Sequence, residues 1–112
     1  MVKMKNVKKA PPDRKIIVPG KDRKFLYKLT LLHNNLMQHH VISYDEVLIK
    51  FEDGTEGLVY FEPSHAMTPK ETPSTVYRIY RILDTYITTG LITKEDMVYA
   101  NEVWNDLRDK AR

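Results

Sequence analysis

Asp53-Gly54, set between two runs of alternating apolar residues, is the feature that most restricts how this chain folds. Asp-Gly tolerates the positive φ that both central positions of a type I′ turn require, so the pair predicts a tight β-hairpin. That turn fixes the register of residues 41–62, with the numbers of facing residues adding to 107. Val47 then faces Tyr60, Ile49 faces Leu58 and Phe51 faces Glu56 on one side of the ribbon. On the other side Glu46 faces Phe61, Leu48 faces Val59 and Lys50 faces Gly57. The first side is the more apolar and is expected to meet the core. A lone hairpin is marginal in water, so helices must cover it. Ile16-Ile17-Val18, β-branched and stopped by Pro19-Gly20, is the candidate for a short third strand at the edge.

Helical periods flank the hairpin. Phe25, Leu29, Leu32 and Leu36 recur at helical spacing, with Asp22 expected as N-cap and the helix fading near Met37–His40, where Asn34 and Asn35 weaken propensity. After a Pro-rich loop, Thr72-Pro73 reads as an N-cap followed by Pro at the first helical position. Val76, Tyr80, Leu83 and Ile87 form the stripe of that second helix, Ile79, Ile82 and Tyr86 widen it, and Gly90 ends it in a left-handed cap. Thr93 opens the last helix in a capping box with Asp96, and Met97, Ala100 or Asn101, Trp104, Leu107 and Ala111 continue its stripe. The few residues between the last two helices predict an antiparallel helical hairpin. The fold class is therefore α+β: helix, β-hairpin, then two helices, as one domain over residues 16–112, preceded by a basic arm at 1–15. The arm has no apolar period and is expected to be flexible.

Charge is divided unevenly along this framework. Residues 1–28 hold ten cations (Lys3, Lys5, Lys8, Lys9, Arg14, Lys15, Lys21, Arg23, Lys24 and Lys28) against Asp13 and Asp22, a net +8. The remaining eight cations face thirteen acidic residues, a net −5, so the overall +3 conceals a basic front end on an acidic body. Clustered cations attract polyanions or acidic protein surfaces, and these are the two partner classes expected. Tyr77, Arg78 and Arg81, on the polar side of the second helix, are candidates to join such a contact, since exposed rings beside arginines stack on bases.

The chain has no cysteine, so disulfides and thiolate chemistry are excluded and a reducing cytoplasm is the expected setting. No run approaches a membrane span, and no apolar core follows the basic N-terminus as in a signal peptide. No glycine-rich phosphate loop or nucleophile elbow occurs, and no cofactor is expected. His33, His40 and His65 have none of the recurrent zinc spacings and are expected at solvent-facing helix ends or in the loop. A small metal-dependent hydrolase or nuclease using them with a nearby carboxylate is one alternative function. A homodimer through the apolar helix at 72–89 is another. The favoured expectation is a non-catalytic binding or regulatory protein on a nucleic-acid-associated complex, with an inhibitor of an acidic protein surface as the closest alternative. In composition alone, the compact, cysteine-free, lysine-rich chain resembles small phage-encoded effectors.

Overall fold

The computed structural model describes Lys8–Lys9, residues 15–55 and residues 57–110. In chain order these form strand β1 (Lys8–Lys9), helix α1 (Arg23–His39), strands β2 (Tyr44–Ile49) and β3 (Leu58–Pro63), and helices α2 (Ser74–Thr89) and α3 (Lys94–Lys110). This is the α+β order read from the sequence. β2 and β3 pair antiparallel from Tyr44↔Pro63 through Val47↔Tyr60 to Ile49↔Leu58, the predicted register. Val47, Ile49, Leu58 and Tyr60 are buried, so the predicted face does meet the core.

The turn that sets this register is built differently from expectation. A type I′ turn needs positive φ at both central residues, yet Gly54 has φ 84° and Asp53 does not share the left-handed region. Asp53 acts instead as a side-chain acceptor. Its carboxylate takes the Thr55 N–H at 2.9 Å and the Thr55 hydroxyl at 2.6 Å, while the Arg23 guanidinium closes on its other oxygen. Such Asx-type bonds satisfy a wider loop, and the ladder stops at Ile49–Leu58. The expected Phe51–Glu56 pair falls outside the described residues at Glu56.

The third strand shrinks to a single bridge. Ile16 sits parallel to Phe51, donating its N–H to Lys50 O at 2.9 Å and accepting from the Glu52 N–H at 2.9 Å. Ile17 then turns its N–H to Ile87 O of α2 at 3.1 Å, which takes the segment off the sheet. Further upstream, β1 lies parallel on the same edge of β2, with Lys8 opposite Val47 and Lys9 opposite Leu48. The expected flexibility of the arm otherwise concerns residues outside those described.

α1 begins from a 3-10 turn, Gly20–Asp22. Asp22 has φ −102° and ψ 0°, and its carboxylate makes no capping bond, because its own backbone has already entered the turn. Leu29, Leu32 and Leu36 are buried as expected, together with Leu26, His33 and Met37, so the buried face is wider than one stripe. Asn34, which weakens helix propensity, has a structural use. Its amide accepts the Phe61 N–H at 3.1 Å and donates to Val59 O at 3.0 Å, occupying the free edge of β3 as a strand would.

α1 ends in a Schellman closure, with the Ile42 N–H on Met37 O at 2.9 Å and the Val41 N–H on Gln38 O at 3.1 Å. The left-handed position of that closure, usually glycine, is filled by Val41 at φ 54° and 90 % exposure. A β-branched residue is strained there and recovers nothing by burial. Val41→Gly is expected to stabilise the fold by about 1 kcal/mol in urea denaturation. Unchanged or lowered stability would show that this backbone is not left-handed.

α2 starts at Ser74, one residue later than a Thr72 cap would place it. Thr68 takes the capping part in a preceding turn, its hydroxyl accepting the Glu71 N–H at 3.2 Å and its carbonyl the Thr72 N–H at 3.0 Å. Pro73 stands at the N-cap of α2 without a side-chain bond. The other end is as predicted, with Gly90 left-handed at φ 74° and its N–H on Tyr86 O. Val76, Ile79, Ile82, Leu83, Tyr86 and Ile87 are buried within the chain and Tyr80 is half-buried, so most of the apolar stripe that suggested a homodimer face is already covered.

The Thr93 hydroxyl accepts the Asp96 N–H at 3.0 Å, as the capping box requires. α3 runs back along α2, since Thr85 shares a cleft with Ile92 while Arg78 meets Tyr99. It also meets α1, where Lys28 donates to Asn101 Oδ1 at 3.1 Å. Touching two helices rotates its stripe. Ala100 is buried and Tyr99, Val103, Trp104 and Leu107 are half-buried, but Met97 points outward, and Ala111 lies outside the described residues. Among the described residues no helix is long and apolar enough to cross a membrane.

Candidate polyanion-binding surface

The cations singled out in the sequence separate into two groups once folded. Arg23 and Lys28 are structural ties. The Arg23 guanidinium lies 3.7 Å above the Phe51 ring, donates to Thr55 Oγ1 at 2.9 Å and pairs with Asp53, so it fastens the hairpin loop to the start of α1. Lys28 bonds Asn101 and holds its ammonium 5.3 Å from the Trp104 ring, fastening α3 to α1. Both side chains are therefore partly engaged within the chain.

Lys15, Lys21 and Lys24 form the second group and are exposed. Lys15 immediately precedes Ile16, whose bridge is to Phe51 just beyond β2, and Lys21 and Lys24 come after it. Lys8 and Lys9 supply β1 itself, while Lys3, Lys5 and Arg14 lie outside the described residues. Within the basic run, β1 pairs with β2, Ile16 bridges Phe51 just beyond it, and Lys24 stands in the first turn of α1.

Tyr77, Arg78 and Arg81 lie apart from that edge, on α2. Tyr77 is half-buried, its ring centroid 6.5 Å from that of Tyr80, so it is not the freely exposed platform that base stacking needs. Arg78 stacks 3.8 Å above the Tyr99 ring and reaches Asp96 at 3.7 Å. Arg81 is exposed, and the two arginines share a cleft of about 540 Å³ with Thr85, Leu91, Ile92 and Thr93.

The histidines are split among environments. His33 is fully buried, contrary to its expected place at a solvent-facing helix end, because position 33 adjoins Leu29, Leu32 and Leu36 on the packed face. Its ring stacks on Tyr60 with centroids 4.9 Å apart, and burial lowers its pKa from 6.5 to about 4, against a smaller opposing effect of the Asn34 bond. His40 and His65 do come to one shallow cleft, of about 270 Å³, with Glu71. Among the described residues no group of three or more His, Asp or Glu is placed to hold a metal ion. The Asn34 edge clasp and the Arg78–Tyr99 stack are among the features that escaped the sequence reading. The first leaves no local signal, and the second depends on how α3 folds back. The chain matches no family model, no curated protein and no solved structure.

Proposed function

We propose that this chain is a non-catalytic accessory or regulatory protein that attaches to a nucleic-acid-bound assembly through its basic N-terminal segment. The observation that carries this reading is the route of that segment. It pairs with β2 at β1 and with Phe51, just beyond β2, at Ile16, and exposed Lys15, Lys21 and Lys24 flank that bridge. Cations clustered in one segment neutralise phosphates and release their condensed counterions, which drives binding without reading sequence. With Arg23 and Lys28 engaged in contacts within the chain, the proposed contacting set centres on Lys3, Lys5, Lys8, Lys9, Arg14, Lys15, Lys21 and Lys24.

The test is a chain in which Lys3, Lys5, Lys8 and Lys9 are all replaced by Ala, compared with the native chain on duplex DNA and on RNA at low salt. The replacement is expected to weaken binding by a similar factor on every sequence tried, since phosphate contacts position rather than specify. Equal binding by both chains would rule out the segment as the contact. Capture that survives nuclease treatment with saturable one-to-one stoichiometry would assign the basic segment to an acidic protein surface instead.

A further inference from the structure

The cleft between α2 and the start of α3 combines two kinds of surface that a phosphate backbone cannot use together. Arg78 and Arg81 are three residues apart on α2 and so rise on one face, with side chains about 5–6 Å apart at Cβ. Ile82, Leu91 and Ile92 supply apolar surface beside them, and Leu91 is 70 % exposed. A single exposed leucine is ordinary, but this one is held in place. Gly90 is left-handed at φ 74°, and a Cβ there would meet Ile17 O at 2.8 Å, so the turn is pressed against the chain before α1. The Leu91 N–H is bound by the Thr89 hydroxyl at 3.1 Å. The guanidinium of Arg78 is also pre-set by its stack on Tyr99 and shares part of its charge with Asp96. Arg81 has no ion pair among the described residues, and it supplies most of the attraction the cleft exerts on an anion.

We propose that this cleft docks a short acidic segment of a partner protein, in which carboxylates alternate with aliphatic side chains. The carboxylates meet Arg81 and Arg78 as charge-assisted pairs, for which guanidinium geometry is well suited, and an aliphatic side chain covers Leu91 and Ile92. A phosphate backbone offers the charge but no aliphatic side chain alternating with it to cover that surface. The inference deepens the accessory-protein reading by naming the chemistry of the second contact. It uses none of the basic segment, so the lysine replacements above and the arginine replacement below fail independently.

The experiment is an NMR titration of the full chain with acetyl-Asp-Leu-Glu-Leu-Asp-amide, with its Asn/Gln counterpart, and with duplex DNA. The acidic peptide is expected to move the methyl signals of Leu91 and Ile92 and the side-chain N–H of Arg81, and the neutral peptide is not. Arg81→Ala should weaken the acidic peptide by about tenfold, the scale of losing one charge-assisted contact. Leu91→Ser should also weaken it, and both positions are exposed enough for the fold to persist. Equal shifts from the neutral peptide, undiminished binding by Arg81→Ala, or no shifts at millimolar peptide would each overturn the proposal. So would a loss with Arg81→Ala but none with Leu91→Ser, which would leave only an anion site, and so would the same signals answering to DNA in preference to peptide.

Discussion

Lowering the pH from about 6.5 to about 4 is expected to remove about 3 kcal/mol of folding stability through His33 alone. The ring is enclosed by Tyr60 from β3 and Tyr80 from α2, with Asn34 beside it on α1. Asn34 must present its oxygen to the Phe61 N–H and its amide N–H to Val59 O, so the same oxygen accepts from His33 Nδ1 at 2.9 Å. That leaves Nε2 as a bare lone pair, buried with no hydrogen-bond partner. A proton placed there gains no partner and loses its water. Below pH 6.5 the unfolded chain accepts that proton and the folded chain refuses it until about pH 4, so stability falls as pH falls through this interval. Asp53 acts in a lower one. Its carboxyl is held near 2 by the Thr55 bonds and then by Arg23, so its contribution is lost only as pH drops below the usual 3.8. His33→Leu, close in volume, should flatten the stability profile between pH 6.5 and 4 even if it costs about 1 kcal/mol at neutrality for the lost hydrogen bond. Urea midpoints measured across that range decide the matter. A wild-type profile already flat there would mean His33 is hydrated or partnered in solution.

Gly57→Ala is expected to cost more than any other single replacement considered for this chain, on the order of 3 kcal/mol or above. A Cβ at Gly57 would stand 1.5 Å from Ile49 O, 2.5 Å from Ile49 C and 2.7 Å from Lys50 Cα. All three are backbone atoms, so no rotamer change relieves the clash. β2 and β3 would have to part where Ile49 and Leu58 enter the core. Thermal or denaturant unfolding of the variant measures this directly, and a loss below about 1 kcal/mol would contradict the close approach of the strands.

The contrast between the hairpin's register and its turn shows what sequence carries. Register follows from alternation, because a slip of one residue would expose Val47, Ile49 and Tyr60 together, and so it was legible from residues 41–62. Turn type depends on which donors and acceptors reach the loop. Arg23 comes to Asp53 from thirty positions away, which no local pattern encodes. The caps divide in the same way. Thr93 and Gly90 work as read because their partners are within four residues. Asp22 and Thr72 do not, because each already sits within a preceding turn, its own N–H bound to Pro19 O and Thr68 O respectively. For the candidate surface, the charge segregation was visible at once. That Arg23 and Lys28 are spent on Phe51, Asp53, Trp104 and Asn101 depends wholly on tertiary contacts.

The salt dependence of binding to duplex DNA tests the proposed function most directly. With about four to six phosphates neutralised by the basic segment, the slope of log affinity against log salt should be roughly −3.6 to −5.4, and replacing Lys3, Lys5, Lys8 and Lys9 should flatten it. No retention of the native chain on DNA or RNA at low salt, or a slope unchanged by those four replacements, would contradict attachment through that segment.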